Sequence, residues 1–173
     1  MSLDNFQITK TIDDAMYNTI YRAKCLNEIK DVVLKIAKYD GENETSILKI
    51  MDHPNIIKLH DSFKLDGKSV SVIEYAQGGD LYNHIDSCKN IDIDSYFTQL
   101  LVGLQYMHSK GISHMDIKPE NIVIDGMGMI KFIDFGFSFN TGETKLLSSK
   151  PSGTFQYQAP ELINITKTKQ PRL

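Results

Sequence analysis

The chain has 173 residues, 41% of them hydrophobic and 24% charged, with a formal net charge of −3 at neutral pH. That is the composition of one folded domain around one core, and it excludes the basic footprint that nucleic acid or an anionic membrane surface requires. Cys25 and Cys88 are too few for a disulfide framework and have no metal-ligand spacing, and no apolar run approaches the roughly eighteen residues of a membrane span, so an intracellular, cytoplasmic protein with reduced thiols is expected.

Residues 6–12, 17–24, 31–37, 57–63 and 69–75 alternate and are rich in β-branched side chains, which predicts five strands. Asp66-Gly67 between the last two is a hairpin turn signal. One helix interrupts this run: Ile47, Leu48 and Met51 fall at helical spacing within residues 43–51, with Asn43 or Asp40 as the candidate N-cap. Beyond Gly78-Gly79 the character changes to helix. Residues 80–85 predict a short one and residues 94–108 a longer amphipathic one, with Phe97, Leu100, Leu101, Leu104 and Met107 as its apolar stripe. Two short strands, 122–124 and 129–133, are expected next, joined through Asp125-Gly126 and delivering Asp134 at the end of the second.

Between those helices and strands lies ISHMDIKPENIV, residues 112–123, with a carboxylate (Asp116), a lysine (Lys118) and an amide (Asn121) at fixed offsets. A base, a phosphate clamp and a metal ligand would be spaced in this way. The stretch resembles the catalytic loop of eukaryotic protein kinases, H-R-D-L-x-x-x-x-N, matching at His114, Asp116 and Asn121 and departing at Met115, where the family has arginine. The KPEN form with Lys118 is similar to kinases that act on serine and threonine. Two further stretches stand at kinase spacing: IDFGFS, residues 133–138, and GTFQYQAPE, residues 153–161.

The resemblance implies an α+β, two-lobed protein-kinase-like fold. A small antiparallel-sheet lobe would take residues 1–76 and a partial, mainly helical lobe residues 77–173, forming one domain with nucleotide in the cleft. It implies ATP and Mg²⁺ as cofactors and a protein bearing serine or threonine as substrate. Lys35 in VVLKI would grip the α- and β-phosphates, held by Glu44, only nine residues on and in the first turn of its helix. Asp116 would accept the substrate hydroxyl proton, Lys118 would neutralise the γ-phosphate, and Thr154 would hydrogen-bond that pair. Asn121 and Asp134 would ligate the metal, since hard oxygen donors suit Mg²⁺. Ile20, Val33 and Val123 would line the nucleotide site behind Ile73. The backbones of Glu74 and Ala76 would meet the adenine edge, with Asp80 near the ribose or a basic substrate residue. His114, Phe135, Leu48 and Leu59 would form a packed column between the lobes.

The pattern fails in three places. The phosphate-covering glycines fall on Asp13, Ala15 and Asn18, so no backbone amide is freed by glycine to approach a phosphate. Met115 removes the arginine that receives an activation-loop phosphate, and the candidate acceptors Thr144, Ser148, Ser149 and Ser152 are left with few cationic partners. Third, the family continues past APE with a helical subdomain, whereas this sequence stops at Leu173. Glu161 is then expected to lack its arginine partner, and Leu100, Leu104 and Met107 to lack cover, leaving an apolar face for a second copy or a partner kinase. Against the serine/threonine kinase stands an alternative, a kinase-like decoy that binds and regulates another kinase or its substrate without chemistry.

Overall fold

A computed structural model of the chain describes residues 2–28, 30–39, 41–87, 92–142, 153–160 and 163. Asp40, Cys88, Thr144, Ser148, Ser149, Ser152, Glu161 and the closing stretch 164–173 lie outside the described residues.

The predicted strands form one antiparallel sheet. β1 (Phe6–Asp14), β2 (Asn18–Cys25), β3 (Lys30–Ala37), β4 (Leu59–Leu65) and β5 (Lys68–Glu74) are ordered β1-β2-β3-β5-β4. Asp66 and Gly67 take φ of 49° and 79° and close the β4–β5 hairpin, the left-handed pair that a two-residue turn needs to match strand twist. On one face of the sheet Phe6, Ala23, Cys25, Val32, Leu34 and Val72 form a small buried cluster.

Helix α1 (Glu42–Lys49) follows β3, and its start corrects the expected cap. The N-cap is Gly41, with no side-chain hydrogen bond. Asn43 lies inside the first turn instead, and its side-chain amide donates to the Ser138 carbonyl at 2.9 Å, 95 residues away. Helix α2 (Leu81–Ser87) and helix α3 (Ile93–Ser109) come next. Asp92 caps α3 by accepting from the Ser95 amide at 3.0 Å.

The short strands complete the frame: β6 (Ile112–Ser113) pairs with β9 (Phe139–Asn140), and β7 (Ile122–Ile124) with β8 (Ile130–Phe132). A larger core joins the two halves of the chain. Ile47, Leu48 and Met51 from α1 and the turn after it pack in one cluster with Met107, Ile112, Phe132 and Phe135, and Leu59 packs against its edge. Each such side chain contributes about 1.5–3 kcal/mol when fully buried. Gly103 lets α3 approach that core, since a Cβ there would stand 2.9 Å from the Phe132 ring.

The expected loss of cover on α3 is corrected by this packing. Met107 is wholly buried, and Leu100 and Leu104 pack partly against the core. The most exposed apolar side chains of α3 are Ile93, Phe97 and Leu101, at 71%, 60% and 51% exposure. Among the described residues no helix is long and apolar enough to cross a membrane.

Candidate active site

Strand register brings the first group of polar side chains to the sheet's inner face. Ile20 stands opposite Lys35 and Arg22 opposite Val33 across β2–β3, and Val33 faces Ile73 across β3–β5. Lys35 is 7% exposed, and its ammonium donates to Glu44 Oε1 and to Asp134 Oδ1, each at 2.7 Å. Glu44 Oε1 also accepts from the Phe135 amide at 3.2 Å, so one carboxylate holds both the lysine and the start of the next turn. Burial alone would pull the Lys35 amine down, but the charges of Glu44 and Asp134 outweigh it and hold the amine above its usual range. The same balance in reverse acts on Asp134. Burial pushes its carboxyl up, and Lys35 with the Gly136 amide more than offsets this, leaving it ionised below the ordinary carboxylate range.

A second group forms around Asp116, which is 4% exposed. The Thr154 amide donates to its Oδ1 at 2.7 Å, and the Asn121 side-chain amide to its Oδ2 at 2.9 Å. Lys118 Nζ lies 3.2 Å from Oδ2 and donates to the Thr154 hydroxyl at 2.8 Å. Burial raises the Asp116 carboxyl, but the Thr154 and Lys118 contacts prevail and hold it below its usual range. The Asp116 carboxylate is therefore ionised and fixed in orientation. Gly153 makes this closure possible: its φ is +89°, and a Cβ there would fall 2.4 Å from the Met115 carbonyl oxygen. The signal was in the sequence, a glycine directly before Thr154.

His114 links the two groups. The Asp116 amide points at its Nδ1 (3.3 Å), which leaves Nε2 to donate to the Ile133 carbonyl at 2.9 Å. Its ring packs on Phe135 with centroids 4.9 Å apart. Burial keeps the imidazole below its usual pKa, hence neutral. Ile133 in turn donates to the Asn121 carbonyl at 3.0 Å, and Met115 and Asp134 both take left-handed backbone, φ 68° and 60°. Such conformations cost about 1–3 kcal/mol each and persist only where the surroundings impose them.

The connector after β5 carries the remaining expected residues. The Glu74 carboxylate accepts from Lys131 Nζ at 3.0 Å and from the Lys58 amide at 3.1 Å. Gly78 then donates to the Ile124 carbonyl at 2.8 Å, an approach that a Cβ would block. Ala76 lies between these anchors. Val123 is half-buried against the core and bridges Asp80 through the main chain. The Asp80 carboxylate caps α2, accepting from the Asn83 amide at 2.8 Å and its side chain at 2.7 Å.

The turn between β1 and β2 lacks glycine, and a lysine shapes it instead. Lys38 Nζ meets Asp14 Oδ1 and the Ala15 carbonyl, both at 2.6 Å, while its backbone amide donates to Tyr17 at 2.8 Å. The rings of Tyr17 and Tyr39 meet edge-on at 6.2 Å. Asp13 stands opposite Ile20 and is exposed. No local sequence pattern announces this strap, because it needs the far end of β3.

Metal fit rests on donor chemistry. Both bonds given by the Asn121 amide nitrogen go to Asp116, at its carbonyl (2.8 Å) and its Oδ2 (2.9 Å), so the amide oxygen points the other way. Among the described residues no three His, Cys, Asp or Glu side chains gather as a metal cage. One amide oxygen and one carboxylate suit a hard ion that keeps waters and phosphate oxygens as its other ligands, as Mg²⁺ does.

The protein kinase domain family matches residues 8–172. The chain is similar to serine/threonine-protein kinase Nek5 of Mus musculus, 33% identical over 171 residues, covering 92% of this chain and 27% of that protein. It is similar also to ribosomal protein S6 kinase 2 alpha of Gallus gallus, at 34% identity over 85% of this chain and 20% of that one. CBL-interacting protein kinase 8 of Oryza sativa subsp. japonica is 29% identical over 92% and 39%. The chain thus spans between a fifth and two fifths of the length of these relatives. A match running from β1 almost to the last residue, among relatives that are themselves kinases, places this chain in the protein kinase family, of the eukaryotic serine/threonine type.

Proposed function

We propose that this chain transfers the γ-phosphate of ATP to serine or threonine hydroxyls of a protein substrate, with Asp116 as the base. The observation that carries the reading is the interlock of Asp116, Lys118, Asn121 and Thr154, which holds one buried, ionised carboxylate beside one cation. Phosphoryl transfer asks a protein for positioning and charge neutralisation more than for covalent chemistry. Lys35, steadied by Glu44, binds the α- and β-phosphates. Asn121 and Asp134 hold Mg²⁺, which when bound neutralises the phosphate oxygens. Asp116 takes the proton of the incoming hydroxyl, and Lys118 balances charge at the transferred group. Ile20, Val33 and Val123 enclose the adenine ring, and the Glu74 and Ala76 backbones read its edge.

A second reading, a kinase-like binding module, draws on the glycine-free β1–β2 turn and on Asp13 at the inner face. An acidic side chain about 4 Å from a phosphate costs roughly 1 kcal/mol in water and about 4 at intermediate dielectric. Under either reading a second copy or a partner kinase covers Ile93, Phe97 and Leu101; a monodisperse monomer that binds no apolar dye would refute that part.

Thermal unfolding with ATP, with and without Mg²⁺, tests the proposal on the parent, Lys35→Ala and Asp134→Ala. Ligand at a hundred times its dissociation constant adds about 2.7 kcal/mol, or roughly 5–10 °C at this size. The parent is expected to shift and both variants to lose the shift. A parent that shifts yet transfers no phosphate, with Asp116→Asn indistinguishable from it, would favour the binding module.

A further inference from the structure

Arg22 stands on the inner face of the sheet, opposite Val33 and two residues from Ile20 along β2. Its guanidinium makes an ion pair with Asp31 of β3 and lies over the Tyr75 ring, 4.3 Å from the centroid. Tyr75 sits between Glu74 and Ala76, where the chain has left β5 and is not yet in α2. The segment is anchored before Tyr75 by the Glu74–Lys131 pair and after it by Gly78 on Ile124. Between those anchors, the Arg22 contact ties Tyr75 to the small lobe. An arginine suits this task because its planar cation can pair with a carboxylate at its edge while stacking on a ring with its face.

We propose that Arg22 is a positioning residue for the nucleobase: clamped by Asp31, it presses Tyr75 against β2 and β3 and so fixes the flanking Glu74 carbonyl and Ala76 amide toward an adenine edge. The inference rests on the adenine-nucleotide reading given above. Arg22 itself touches neither base nor phosphate in this role. Its effect passes through Tyr75, and it therefore acts on base recognition and not on the triphosphate, which Lys35 and Asp134 hold.

Titration calorimetry on the full chain with ATP, GTP and inorganic tripolyphosphate, each with Mg²⁺, separates these effects. Arg22→Ala and Tyr75→Ala are expected to raise the ATP dissociation constant about two- to fivefold, the range of a partly exposed cation–ring contact. Tripolyphosphate binding stays unchanged, and GTP, whose base edge does not match the Glu74 and Ala76 groups, is weakened less than ATP, so the preference for ATP narrows. Tyr75→Phe, which keeps the ring, and Arg22→Lys, which keeps the cation, remain closer to the parent than either alanine variant. The double variant Arg22→Ala/Tyr75→Ala is no weaker than the worse single one, because the two residues act as a unit. Equal weakening of ATP and tripolyphosphate, additive losses in the double variant, or an unchanged Arg22→Ala would each overturn the inference while leaving nucleotide binding intact. A parent that binds tripolyphosphate but no ATP would overturn the adenine reading and the role of Arg22 together.

Discussion

Replacing Gly153 with alanine puts the closure over Asp116 under direct test. The added Cβ would sit 2.4 Å from the Met115 carbonyl oxygen, where real Cβ contacts stop near 3.0 Å, and a φ of +89° is strained for any L side chain. The backbone at 153 must retreat by about 0.6 Å or more. That stretches the 2.7 Å bond from the Thr154 amide to Asp116 Oδ1 beyond the roughly 2.7–2.9 Å at which charge-assisted bonds work well. A bond of this kind is worth about 1.5–3 kcal/mol. If that energy serves to aim the base, kcat/KM falls about ten- to hundredfold. The left-handed strain adds about 1–2 kcal/mol, a fall in Tm of roughly 2–8 °C. Phosphate transfer to a serine-bearing protein, measured beside thermal unfolding, reads both effects. The ATP-induced thermal shift stays, since Lys35, Glu44 and Asp134 make no bond to Gly153. Turnover within twofold of the parent would refute the claim that this closure orients Asp116.

Lys35→Met leaves Glu44 and Asp134 facing each other without their cation; one partner lost from a buried pair costs about 3–5 kcal/mol, and denaturant unfolding is expected to show a loss of that order, against a much smaller one for Glu44→Gln. Thr154→Val and Lys118→Met each remove a group that holds the Asp116 carboxyl down, so the acid limb of the kcat/KM profile moves to higher pH in both. Asp116 and Asp134 have folded values below their unfolded ones, so their stabilisation is present above pH 4 and fades as pH falls through the folded values. His114 is also depressed, from an ordinary 6.5, so the unfolded chain binds its proton first and stability drops as pH falls below about 6.5. His114→Phe keeps the ring against Phe135 and removes this titration; urea midpoints between pH 7 and pH 5 should then decline less steeply than in the parent.

The sheet was legible because strand alternation and the Asp66-Gly67 turn are local signals. Lys35, Glu44, Asp116, Lys118, Asn121, Asp134 and Thr154 are named in the sequence by resemblance to kinase motifs, and the structure brings Lys35, Glu44 and Asp134 into one group and Asp116, Lys118, Asn121 and Thr154 into another. What was not legible depends on contacts between distant segments. Asn43 looked like a helix cap, yet its partner Ser138 lies 95 residues on. The α3 stripe was read as one face, but periodicity does not say which half of a stripe meets the core. Met107 is buried and Leu100 and Leu104 pack partly against the core, whereas Phe97 and Leu101 stay outward. The missing glycines at 13, 15 and 18 were visible, whereas Lys38 as the builder of that turn was not. Nor was the contact of Arg22 with Tyr75, which needs three strands in register.

The cluster that unites α1 with Phe132 and Phe135 bears on how the molecule comes apart. Leu48 and Met51 belong to the sheet-bearing half by sequence, yet their neighbours are Met107, Ile112 and the residues around β8. Severing the peptide between Ala76 and Gln77 would therefore split a continuous oily interior, and each piece would expose to water a surface that neither can hide alone. Calorimetry on the intact chain should accordingly record one endotherm, both halves surrendering their order together.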